Sequence, residues 1–108
     1  MQNVRERHVE ELLCREVRNI GGIAFKFVSP GIIGVPDRLV LIPGGVASFV
    51  ELKAPGKKPR GMQRVVMRRL YHMGARVATI DNVMTVMRFV DLIRRRSCNT
   101  IRMNIKKP

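Results

Sequence analysis

Tryptophan is absent from this 108-residue chain, aromatics amount to four Phe and one Tyr, and only 8 acids stand against 21 lysines and arginines. Each shortage excludes something. With so few rings (Phe25, Phe27, Phe49, Phe89 and Tyr71), most are better used in a core than as exposed stacking platforms, which argues against a dedicated single-strand binder. The two cysteines, Cys14 and Cys98, lie far apart with no CxxC or histidine spacing, so neither a zinc site nor a disulfide scaffold is expected, and both thiols should be reduced. No apolar run reaches membrane-spanning length, and the opening Met1-Gln2-Asn3-Val4-Arg5-Glu6 lacks a signal core. A soluble, cytoplasmic protein with no membrane partner is therefore expected. There are no internal repeats, and the length suits one domain with no room for a separate nucleic-acid-binding module.

The shortage of acids leaves a formal charge of +13 and a pI near 11.4, more than solubility requires, so a polyanionic partner is implied. Charge alone points to nucleic acid and not to an activity, because packaging and ribosomal proteins share it. The few acids are more telling. Pro36-Asp37 stands at the head of one apolar run, Arg38-Leu39-Val40-Leu41-Ile42, and Glu51-Leu52-Lys53 closes a second, Val46 to Leu52, with Pro43-Gly44-Gly45 between them as a hairpin turn. The strand period of two sends Glu51 and Lys53 to one face, roughly 7 Å apart. The hairpin brings Asp37 alongside. Either half alone is ordinary, a turn aspartate or a solvated Glu-x-Lys pair. Together they place two acids and a lysine at matching ends of adjacent strands, where charged residues are rarely buried without partners. Two carboxylates can hold a hard cation such as Mg²⁺ or Mn²⁺, and a neighbouring ammonium can stabilise the charge that grows on a phosphorane. That combination suits phosphodiester hydrolysis.

On these residues the chain resembles the VRR-NUC (virus-type replication-repair nuclease) branch of the PD-(D/E)XK superfamily. The resemblance extends through Gly21-Gly22, Phe25 to Gly31, Gly34 to Arg38, Phe49 to Arg60, Gln63, and Gly74 to Asp81. It implies an α/β fold with a restriction-endonuclease-like core, a central mixed sheet flanked by helices in the order α-β-β-β-α-β-α. It also implies metal binding by Asp37, Glu51 and the Leu52 carbonyl, catalysis by Lys53, and a site completed by Gln63 and an upstream helical glutamate. The resemblance, through its spacing to Gly21-Gly22, implies Glu6 for that glutamate, with Glu10 second. By helical period Glu6 lies nearer the stripe of Val9, Leu12, Leu13, Val17 and Ile20, whereas Glu10 and Glu11 also fit a solvated face with Arg7 and Arg15.

The remaining elements follow from pattern. A helix is expected from Val4 to Ile20, strands over 23–28, 38–42 and 46–53, a helix over 62–73, a strand over 75–80, and a last helix capped by Asp81 or Asn82. The nuclease domain is drawn at 1–93 with a basic extension over 94–108. In that extension Ile101, Met103 and Ile105 alternate like a short strand. Lys57, Lys58 and Arg60 form a rigid basic linker beside the proposed metal, and Lys26, Ser29, Arg38, Arg64, Arg94, Arg95 and Arg96 join them as expected DNA contacts. Ser29 fits a local turn equally well. No base-reading element is visible, so specificity should be for structure. The reading that results is a metal-dependent endodeoxyribonuclease acting on branched DNA, and the resemblance to standalone phage members of the family implies a homodimeric Holliday-junction resolvase. The alternatives are a flap or nicking nuclease and a non-catalytic DNA-binding accessory protein of the same fold.

Overall fold

A computed structural model describes residues 4–101, with side chains over 5–96. The order is α1 (Val4–Asn19), β1 (Ile23–Lys26), β2 (Arg38–Ile42), β3 (Val46–Leu52), α2 (Met62–His72), β4 (Arg76–Ile80) and α3 (Val83–Ile101). One four-stranded sheet runs β1-β2-β3-β4. Its first three strands are antiparallel, and β4 lies parallel to β3. The α2 crossover makes the parallel pairing possible, since a tight turn cannot return a chain in the same direction.

Helix α1 buries Val9, Leu13 and Val17, a four-residue repeat that keeps one stripe on the sheet. It ends where Gly21 turns left-handed at φ 88°, and the Gly21 and Gly22 N–H groups cap the Arg18 and Val17 carbonyls at 2.9 Å each. At the head of α3, Asn82 Oδ1 accepts the Thr85 N–H at 2.9 Å while Thr85 Oγ1 accepts the Asn82 N–H at 3.2 Å. Asn82 is therefore the N-cap, and the reciprocal pair satisfies two donors the helix leaves open.

The core lies on one side of the sheet. Val40, Ile42, Val46, Val50, Leu52 and Ile80 point toward α1 and α3, where they meet Leu13, Val17, Val86, Phe89 and Ile93. At about 1.5–3 kcal/mol for each fully buried aliphatic side chain, this layer carries the fold. The opposite side is thinly covered, because α2 buries none of its residues. That asymmetry leaves polar chemistry room beneath α2.

Two expectations change here. Strand β1 stops at Lys26, two residues before Val28, and α3 runs unbroken through Ile101, so the boundary drawn at 93/94 falls inside a helix. Ile101 is helical, and Met103 and Ile105 lie outside the described residues. Across the expected boundary Asp91 bonds Arg94 and Arg95 at 2.9 Å at helical spacing, pairs that each add a few tenths of a kcal/mol to the helix.

Arg38 is corrected as a DNA contact. The period of two that sends Val40 and Ile42 to the core also sends Arg38 there, and it is only 9% exposed. Its guanidinium pairs with Glu10 of α1, and its Nε finds no partner. Removing one member strands the other charge in a poorly solvated place, which costs about 3 kcal/mol, whereas replacing both by apolar residues of similar volume is close to neutral. Glu10→Gln should therefore lower the urea unfolding free energy by about that amount, and adding Arg38→Met and Leu at position 10 together should restore most of it. Equal losses in the single and double variants would show that the pair contributes little.

Candidate active site

The register of the central hairpin builds the site. Arg38 lies opposite Val50, so one step further along the same ladder Asp37 faces Glu51. The Asp37 N–H donates to Glu51 Oε1 at 3.2 Å, and the Leu52 N–H donates to Asp37 Oδ1 at 3.2 Å. Each carboxylate is thus held by backbone from the other's strand. The Phe27 N–H donates to the Asp37 carbonyl at 2.8 Å, which ties the end of β1 to the same point.

Glu51 is 4% exposed. Its Oε2 receives the Gln63 amide at 2.7 Å and lies 3.1 Å from Lys53 Nζ. Gln63 is itself fixed, since its N–H donates to the Arg60 carbonyl at 2.9 Å and its Oε1 accepts the Arg60 N–H at 3.4 Å. The parallel ladder holds Lys53 through its N–H on the Ile80 carbonyl at 3.0 Å. Four functional side chains from two strands and the first turn of a helix therefore meet at one point.

Burial raises the Asp37 carboxyl above its ordinary 3.8, and the Glu51 charge pushes the same way, while the Leu52 N–H and Arg38 partly offset them. Two acids this close, one of them buried, cost the metal-free fold free energy that a divalent cation would return. The donor set is hard oxygen, as Mg²⁺ or Mn²⁺ prefers. Asp37, Glu51 and the Leu52 carbonyl between Glu51 and Lys53 are the residues that fit such an ion.

The helical glutamate is placed differently. Among the described residues, no three of His, Cys, Asp and Glu gather as a metal-holding group. Glu10 turns to Arg38 on the far side of the sheet, and Glu6 stays half-buried in the first turn of α1. Alternation in β2 could have signalled the burial of Arg38 from sequence, because Arg38 sits in phase with two core residues, but not which residue it meets.

The expected DNA contacts divide into groups. Lys57, Lys58 and Arg64 line a groove of about 630 Å³ together with Thr79 and Asp81, and Arg60 is exposed beside Gln63. Asp81 Oδ2 accepts the Gly56 N–H at 3.4 Å, anchoring the basic strap. From sequence Asp81 fits only a helix cap, since nothing local links it to a loop 25 residues earlier. Ser29 is half-buried in the β1–β2 loop. Lys26 is exposed but pairs in register with Arg38, so it points to the α1 and α3 side. Arg94 and Arg95 bond Asp91 and hold its carboxyl below the usual range, and they and Arg96 belong to α3, across the sheet from Glu51.

This sheet, with its acid pair and lysine at the end of the hairpin, defines a PD-(D/E)XK-type nuclease core. A solved structure described as a VRR_NUC domain superposes with a TM-score of 0.76 at 29% sequence identity, covering 82% of this chain and 97% of that one. A protein of Acyrthosiphon pisum secondary endosymbiont phage 1, described as "Putative nuclease p44", is 52% identical over 82 residues, which are 76% of this chain and 88% of the relative. No protein-family model matches the chain. The chain belongs to the VRR-NUC family of nucleases, in its phage-type form. No helix among the described residues is long and apolar enough to cross a membrane.

Proposed function

We propose that this protein is a Mg²⁺- or Mn²⁺-dependent endonuclease that hydrolyses phosphodiester bonds in branched DNA, acting as a homodimer on four-way junctions. The observation that carries the reading is the reciprocal locking of Asp37 and Glu51 by backbone N–H groups, with Lys53 Nζ 3.1 Å from Glu51 Oε2. Asp37, Glu51 and the Leu52 carbonyl would hold the ion, which when bound would supply a Lewis acid for the phosphate and a more acidic water. Lys53 brings an ammonium to where negative charge grows on the phosphorane. Gln63 holds Glu51 Oε2 in place, so that the carboxylate does not have to reorganise during the reaction. The strap of Lys57, Lys58 and Arg60 with Arg64 offers phosphate contacts beside that centre, which give affinity without sequence readout.

Structure selectivity is supported by what surrounds the centre. Among the described residues no helix resembles a base-reading one, and the exposed basic residues near the site, Lys57, Lys58, Arg60 and Arg64, suit backbone contact. A second copy is supported by an open face of the sheet. Ile23, Phe25 and Leu41 point to the side that α1 and α3 do not cover, and all three are exposed, an apolar patch of the kind that marks association surfaces.

The test is a cleavage panel of a labelled four-way junction, a 5′ flap and a linear duplex, each with Mn²⁺, Mg²⁺ or EDTA. Cutting that requires metal, falls first on the junction and gives symmetric paired nicks is the expected result. Preference for the flap would make the protein a monomeric flap nuclease. Tight binding without any cutting would make it an accessory protein.

A further inference from the structure

The loop between β1 and β2 is pinned at three places and bare between them. Phe27 closes its base through the Asp37 carbonyl, and the Phe27 ring meets the Phe49 ring edge-on at 5.9 Å. Pro36 is fully buried at the other end. Near its middle Gly34 adopts φ 92° against the start of α2, so closely that a Cβ there would fall 2.6 Å from the Met62 carbonyl. Beyond this anchor the tip turns outward, with Ile32 60% and Ile33 80% exposed. Val28 and Met62 beside it are exposed too. Single exposed isoleucines are ordinary, but two adjacent β-branched residues on a pinned loop form a stiff apolar point that local packing does not explain.

The chemistry around the tip limits what can cover it. Gly34 touches the backbone of Met62 and Gln63, Gln63 bonds both Arg60 and Glu51, and Arg60 and Arg64 on either side of this turn are exposed. A second copy would bring the same cations against these, in a chain already at +13. A polyanion suits the rim, and the apolar part of a nucleic acid is its base stack. Small aliphatic side chains act as wedges between base steps where proteins kink DNA, at a cost of a few kcal/mol per step. That cost is lowest where stacking is already broken, as at a branch point. Ile33 stands four positions before Asp37, so their Cα atoms lie within about 14 Å, or about four base steps along a duplex.

We propose that Ile32 and Ile33 are a wedge that enters the base stack at a branch point and selects branched DNA for cleavage. The proposal rests on the nuclease reading above, and it names the residues that would give that site its structural preference. It also sets the cut within about four nucleotides of the branch.

Fluorescence of 2-aminopurine placed at the branch point, with Ca²⁺ in place of Mg²⁺, tests this without cleavage. Wild-type protein should raise the signal on binding, I33F should keep the rise, and I32S/I33S should lose it while keeping a wild-type melting curve. With Mg²⁺, the branched-over-linear cleavage ratio of I32S/I33S should fall by about tenfold or more, as expected when the unstacking contacts are removed. An unchanged signal in I32S/I33S, no rise with wild-type protein, or a cut far from the branch overturns the wedge. So does a change in oligomeric state of I32S/I33S in light scattering, which would make the tip an interface between copies. A fluorescence rise without cleavage by the wild type would leave the wedge standing and overturn the nuclease reading.

Discussion

Asp37→Asn is expected to abolish DNA cleavage while raising the melting temperature of the metal-free protein. The two effects share a cause. Asparagine keeps an oxygen for the Leu52 N–H, now 3.2 Å from Asp37 Oδ1, so the local backbone bond survives. It removes the charge that burial and Glu51 both disfavour. Because the folded Asp37 carboxyl titrates above its ordinary 3.8, the native state binds more protons than the unfolded chain between 3.8 and that raised value. Stability therefore falls as pH rises through the window, and the loss is complete above it. The melting-temperature gap between variant and wild type in EDTA should be widest at neutral pH and close on acidification toward 3.8. Divalent metal should reverse the order. Mn²⁺ at a hundred times its Kd stabilises the wild type by about 2.7 kcal/mol, whereas the variant lacks half of the carboxylate pair. A scanning calorimetry series with EDTA or Mn²⁺ across pH reads all of this, and a variant less stable than wild type in EDTA at neutral pH would mean that the acid pair is not strained.

Lys53→Met should also remove cleavage, by about 10²–10³-fold or more if the ammonium meets the developing phosphorane, but its effect on stability has the opposite sign. Lys53 Nζ lies 3.1 Å from Glu51 Oε2, and Glu51 is 4% exposed with Asp37 as its neighbour. Without the ammonium, two carboxylates face each other with the Gln63 amide, backbone donors and the charge of Arg38 left to offset them, so the metal-free protein should melt lower than wild type. Single-turnover cleavage gives the first effect, and melting in EDTA gives the second. If Lys53→Met left the single-turnover rate within a few-fold of wild type, Lys53 would be a structural partner of Glu51 and not a catalytic group. The opposed stability changes of Asp37→Asn and Lys53→Met distinguish a site charged for chemistry from a general loss of folding, which would lower both.

Much of this protein is written in local pattern. The alternation of Val40, Ile42, Val46 and Val50, the turn at Pro43-Gly44-Gly45 and the four-residue repeat of α1 determine the hairpin and its covering helix, because sheets and helices bury residues at fixed periods. The same register carries Asp37, Glu51 and Lys53 to one end of two adjacent strands, so the meeting of these three side chains was legible from spacing. Gln63 was legible as well, one turn before the apolar Val66, Met67 and Leu70 of its helix. What sequence could not decide is what lies across the sheet or across a gap in the chain. Arg38 and Glu10 find each other only when α1 packs on β2, Asp81 reaches Gly56 only when β4 lies beside β3, and Arg94 to Arg96 go to the far layer only because α3 covers the face opposite Glu51. Each is a long-range pairing that no period encodes. The helix length beyond residue 93 and the outward set of Ile32 and Ile33 depend likewise on contacts made after the chain has folded. Periodicity determines which face a residue occupies; only packing determines what it meets there.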